Sequence, residues 1–137
     1  MKPAVTSELY WLVLTTLMTG LFWVPYILQR VQDRGLWTAL SEPQGSVHTE
    51  SHWARRMMRA HQNAIENLVI FATLVLMLQA TGNGTATTAM ACMVYFFARA
   101  THFVVYTLAV PLLRPLSFFI GFFAQLALAL TLLGALA

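Results

Sequence analysis

Charge is what this sequence has least of. Only 9% of its residues are Asp, Glu, Lys or Arg, where an ordinary soluble domain carries about 25%, and that scarcity excludes most soluble folds. Cysteine is all but missing as well. Cys92 stands alone, so no internal disulfide can brace the chain, and its place in an apolar stretch reads as a packed small hydrophobe. There is no internal repeat and no low-complexity tract. The decisive absence is local: Leu9 to Leu28, Asn67 to Ala98 and Pro115 to Ala137 contain no charged residue at all. Each is long enough to cross a bilayer, which needs roughly 20 apolar residues.

What is present is a chain that is 58% hydrophobic. The run Asn67 to Ala98 is too long for one span and too short for two, so it forms the centre of a hairpin. Thr81-Gly82-Asn83-Gly84-Thr85 supplies its turn, because glycine and asparagine adopt the backbone angles that end one helix and begin another. The predicted helices are 7–32, 52–80, 86–110 and 116–137. They make an all-α, four-transmembrane-helix bundle, expected to form a single domain over 1–137. Asp33 to Ser51, with Pro43 and Gly45, reads as a polar surface loop. Pro111 and Pro115 bracket the turn between the third and fourth helices, and Pro25 bends the first. The first helix is too long, and lacks the cleavage site, for a removable signal peptide, so it is expected to remain as a span.

The arginines set the orientation. Arg30, Arg34, Arg55, Arg56 and Arg59 flank the first loop and Arg114 lies in the third, whereas the Gly82 turn has no charge. The positive-inside rule places loops 33–51 and 111–115 in the cytoplasm and both termini opposite, despite Lys2. A bacterial inner membrane is the expected location. The net charge of +3 and pI near 9.5 follow from topology and lipid headgroups, and imply no nucleic-acid partner.

Ionisable residues inside the spans carry the functional information. On the second helix Arg59, Asn63 and Glu66 are spaced i, i+4, i+7 and share a narrow stripe. On the third, Arg99, His102 and Tyr106 make another. Counted from Asn83, Glu66 and Arg99 lie 17 and 16 positions away, Asn63 and His102 20 and 19, and Arg59 and Tyr106 24 and 23. Equal counts in an antiparallel hairpin predict three paired levels, the first roughly 25 Å from the turn. A pair between Glu66 and Arg99 could simply hold two helices together. Yet Arg59, Asn63, His102, Tyr106 and Arg30 crowd the same end, and this surplus of cationic donors over acids implies a missing anion. A small ligand with carboxylates for the arginines and an ammonium for Glu66 would supply it.

These residues resemble the MAPEG family, the membrane-associated proteins in eicosanoid and glutathione metabolism. Arg59-Ala60-His61-Gln62-Asn63-Ala64-Ile65-Glu66-Asn67 is similar to that family's Arg-Ala-x-x-Asn-x-x-Glu signature. Ala98-Arg99-x-x-His102-x-x-x-Tyr106 and Arg114-Pro115-Leu116-Ser117-Phe118-Phe119-Ile120-Gly121 follow in order, the last closest to the microsomal glutathione transferases. The resemblance implies a homotrimer that binds glutathione as co-substrate between subunits near the cytoplasmic side, without a metal. It implies glutathione contacts from Arg30, Arg59, His61, Asn63, Glu66, Arg99, His102 and Tyr106. It also implies that Arg114, assisted by Tyr106, stabilises the thiolate for addition to a lipophilic electrophile, or for peroxide reduction, in detoxification. Pro115 stands where the prostaglandin E synthase branch has serine, and Asn67 where the leukotriene synthase branch has tyrosine. Both departures argue against those branches.

Other readings start from the same residues. A small multidrug transporter would want an acid within helix 1, and Leu9 to Leu28 has none. His61 and His102 lie at different levels for a metal or haem site, and His48 and His52 lack a completing ligand set and read as a solvated pair. A catalytically silent MAPEG-type protein that binds lipid or a partner stays open, since a site does not show turnover. Met57, Met58, Met77, Met90 and Met93 could line an acceptor groove or simply pack.

Overall fold

The computed structural model describes residues 5–41 and 51–137. Lys2, Pro43, Gly45 and His48, named above, lie outside the described residues. Among the described residues six helices form: α1 (Ser7–Leu21), α2 (Val24–Arg34), α3 (Leu36–Ser41), α4 (His52–Thr81), α5 (Ala86–Thr107) and α6 (Leu113–Leu136). No strand occurs among the described residues. Joined, α1 and α2 make the first of four segments among the described residues that are long and apolar enough to cross a membrane, and α4, α5 and α6 make the others.

Local chemistry explains where the helices begin and end. Thr6 caps α1, its hydroxyl accepting from Leu9 N at 3.3 Å. The first span then breaks between Leu21 and Val24, because Pro25 in the first turn of α2 has no N–H to offer the carbonyl of Leu21. The predicted bend is thus an interruption just before the proline. Gly82 ends α4 in the left-handed conformation, with φ 67°, and Asn83 N reaches Leu78 O at 3.2 Å. Thr85 and Thr88 cap α5 reciprocally, at 3.2 and 2.7 Å.

Two connections differ from the sequence reading. The first part of the expected loop is helical, since α2 runs to Arg34 and α3 follows directly after Gly35, which sits at φ 82°. The turn after α5 begins at Leu108 and α6 starts at Leu113. Pro115 lies in the first turn of α6, where its missing N–H leaves no hydrogen bond unmade.

The α4–α5 hairpin is the centre of the bundle. Both of its helices touch α1 and α6, which flank it. Phe71 stacks on Tyr95 with ring centroids 3.9 Å apart, inside a core with Leu12, Val75, Leu78, Cys92 and Leu128. Nearer the arginines, Phe22 stacks on Phe103 at 3.6 Å, beside Met57, Ala60 and Ala64. The outward faces are apolar, as at Val13, Leu17, Ile70, Leu76, Phe123 and Leu130. An apolar exterior round a core containing polar groups is the pattern a bilayer imposes.

Candidate functional site

The polar interior is organised by α5. Tyr95, Arg99 and His102 recur at helical spacing on its inward face and are 1%, 3% and 3% exposed. Arg99 Nη2 donates to Asn63 Oδ1 at 2.6 Å, and its Nε has no partner among the described residues. Arg99 makes no ion pair with any described residue. Its stem is held by close helix contact: a Cβ at Gly121 of α6 would stand 3.4 Å from Arg99 Cδ. A buried guanidinium facing one neutral amide is an incomplete arrangement, because an uncompensated charge in such a place costs several kcal/mol.

His102 is fixed from the far side. Its Nδ1 lies 3.1 Å from the carbonyl oxygen of Arg114 and 3.2 Å from Ser117 Oγ. A carbonyl only accepts, so Nδ1 carries the proton and Nε2 is left as an acceptor. That Nε2 is buried and, like Tyr95 Oη, has no partner among the described residues. Arg114 is exposed in the first turn of α6, with Cζ 5.1 Å from the centre of the Tyr106 ring. A cation at a helix N-terminus opposes the macrodipole, so helix stability does not account for its position.

The three paired levels expected of α4 and α5 do not form. Arg99 meets Asn63 instead of Glu66, and His102 turns to α6 instead of Asn63. Glu66 is exposed, with Oε1 accepting from Gln62 Nε2 at 3.2 Å, and Arg59 is exposed too. The cause is azimuth. Ala54, Met57, Ala60, Ala64, Phe71, Val75 and Leu78 define the buried face of α4. At about 100° per residue, Asn63 lies roughly 95° from its centre, Arg59 roughly 135° and Glu66 roughly 155°. The stripe therefore points away from its own bundle, with half-buried Asn63 at the edge joining it to Arg99.

The remaining candidates surround this edge. Arg30 is buried at 4% exposure on α2. His61 Nδ1 and Tyr26 Oη are 2.7 Å apart, with the Phe22 ring edge-on to the imidazole. Tyr106 is half-buried next to His102, ring centroids 5.6 Å apart. Arg56, read earlier only as a topological charge, donates from Nε to the carbonyl of Thr107 at 2.7 Å and so closes the end of α5. Ser117 and Gln125 were not singled out, yet both are buried, and Gln125 Nε2 donates to Asn67 O at 3.0 Å. Their spacing with Gly121, i, i+4, i+8 in an otherwise apolar helix, is the signal that could have found them. Among the described residues no three His, Cys, Asp or Glu side chains gather into a metal set.

The family model for the MAPEG family matches residues 9–134, which is nearly all of the chain and includes every site residue just described. The chain belongs to the MAPEG family. MAPEG proteins are membrane helical bundles, and this family member is accordingly an integral, multi-pass membrane protein. Glutathione-using enzymes and non-catalytic proteins both occur in the MAPEG family. No curated protein and no solved structure matches the chain.

Proposed function

We propose that this MAPEG protein is a microsomal glutathione transferase-like enzyme that binds glutathione at the arginine-rich end and adds its thiolate to lipophilic electrophiles. The observation that carries the reading is Arg99, a buried guanidinium whose one partner among the described residues is the neutral Asn63. Glutathione has two carboxylates for Arg99 and Arg59, and its ammonium suits Glu66. His102 Nε2 accepts from a donor on the ligand. Asn63, His61, Arg30 and Tyr106 complete the contacts, and no metal takes part.

The outward direction of Arg59 and Glu66 supports a site shared between copies in a homotrimer. Charged side chains in a lipid-facing stripe are costly, and a neighbouring subunit would cover them. In this reading loops 33–51 and 111–115 face the cytoplasm of a bacterial inner membrane, as the arginine distribution favours.

Arg114 activates the thiol. An ordinary thiol titrates near pH 8.5, and lowering that by two units takes about 2.7 kcal/mol of preferential anion stabilisation. A guanidinium hydrogen bond is of that order once a neighbouring subunit screens the exposed Arg114 from water. The thiol proton passes to water, the thiolate sulfur bonds to the electrophilic carbon, and a halide leaves with its electron pair. Arginine remains protonated throughout and acts as charge and donor, with the Tyr106 hydroxyl beside it. Ultraviolet thiolate absorbance of bound glutathione across pH, with conjugation to an aryl halide measured in parallel, tests the reading. Arg114→Ala is expected to raise the thiolate midpoint and slow conjugation together. No conjugation by the wild type, with glutathione bound, would point to a catalytically silent MAPEG protein.

A further inference from the structure

The opposite end of the bundle holds a cavity of about 410 Å³, where the start of α1 meets the α4–α5 turn. Thr6, Glu8, Gln79, Gly84, Thr85 and Ala86 are among its lining residues. Glu8 is only 6% exposed. Its Oε1 accepts from Thr88 Oγ1 at 2.6 Å, whereas Oε2 receives no hydrogen bond from the described residues, and Glu8 lines the cavity. Gly84 makes room for this carboxylate, since a Cβ there would stand 2.8 Å from Oε1.

Complementary donors share the cavity. Gln79 Oε1 accepts from Thr6 Oγ1 at 2.9 Å, and the Gln79 amide NH2 has no acceptor among the described residues. The first-turn N–H groups of Ser7 and Glu8 on α1, and of Ala86 on α5, have no carbonyl within their own helices to bond. Two helix starts therefore present a positive field next to an open carboxylate oxygen. A clamp between α1 and α5 would need only the bond to Thr88. The further volume, the open oxygen and the spare donors fit a small zwitterion. Ser7, Thr81 and Ala86 end three of the membrane spans, so the cavity lies at headgroup depth.

We propose that this cavity binds a phosphoethanolamine group, a primary ammonium two carbons from a phosphate. The ammonium donates to Glu8 Oε2, and the phosphate accepts from the helix-start N–H groups and Gln79. A trimethylammonium has no N–H to donate and is discriminated against. The group arrives either as an aminophospholipid headgroup or as a soluble phosphoethanolamine.

Native mass spectrometry of the full chain in mild detergent tests this. The protein is titrated with short-chain phosphatidylethanolamine, with phosphatidylcholine of the same chains, and with phosphoethanolamine as competitor. The expected result is phosphatidylethanolamine binding at least about fivefold tighter than phosphatidylcholine. Glu8→Gln removes that preference, and so does Gly84→Ala, which drives a methyl onto the carboxylate. Displacement by phosphoethanolamine at comparable concentration assigns the soluble source, and failure to displace assigns the lipid. Equal wild-type affinity for the two lipids overturns the proposal, as does a preference that survives Glu8→Gln. The wild-type comparison decides by itself if either variant fails to fold.

Discussion

Replacing Arg99 by methionine should separate ligand binding from stability in opposite directions. The side chain is 3% exposed and bonded to one neutral amide. Methionine keeps much of its volume and removes the cost of holding an uncompensated guanidinium out of water. Such replacements of buried charge are often neutral or stabilising by about 1–4 kcal/mol. Against that stands Asn63 Oδ1, half-buried and deprived of its donor, at about 1–2 kcal/mol. The ligand-free variant should therefore stay within about 1–2 kcal/mol of wild type, a melting shift of roughly 3–8 °C in either direction for a chain of this size. Glutathione affinity should fall much further, because each charge-assisted bond is worth about 1.5–3 kcal/mol, or roughly 10- to 150-fold. Thermal melting of the detergent-solubilised protein with and without glutathione, beside calorimetric titration, reads both quantities. A melting loss above about 10 °C with unchanged glutathione affinity would show that Arg99 is a strut and refute the argument.

Glu66→Gln should weaken glutathione at least several-fold with little change in melting temperature, because Glu66 is exposed and its bond is to Gln62; calorimetry and melting check the two halves. Gly121→Val should destabilise by about 1–3 kcal/mol, since even a Cβ there stands 3.4 Å from Arg99 Cδ, and melting measures it. Native mass spectrometry in mild detergent should show a trimer; monomers alone would leave the outward stripe of Arg59 and Glu66 without its cover.

The sequence yielded what depends on local runs. Charge-free segments located the spans, and Gly82 and Thr85 end and start helices where turn chemistry predicts. Arg99 and His102 stood out as polar residues in apolar surroundings, and both are buried. Azimuth was harder to read. The small residues Ala54, Ala60 and Ala64 mark the packed face of α4 and could have shown that Glu66 points away from Arg99. Depth counting from Asn83 treated the hairpin as if its polar stripes faced each other. Glu8 escaped because it lies one residue before the charge-free run from Leu9 and its partner, Thr88, is 80 residues away. Ser117 is recognisable in the sequence only by its spacing with Gly121 and Gln125, because its contact with His102 crosses between helices. The break before Pro25 was half legible: the proline announces a lost hydrogen bond, but the loss falls on the preceding turn.

The most direct measurement is calorimetric titration of the purified protein with glutathione, with Arg99→Met titrated alongside. Saturable binding at low millimolar concentration or tighter, lost in a variant that still melts cooperatively, is the result that a buried guanidinium awaiting an anion predicts. No saturable heat with the folded wild type would contradict it and leave Arg99 as part of the bundle's internal packing.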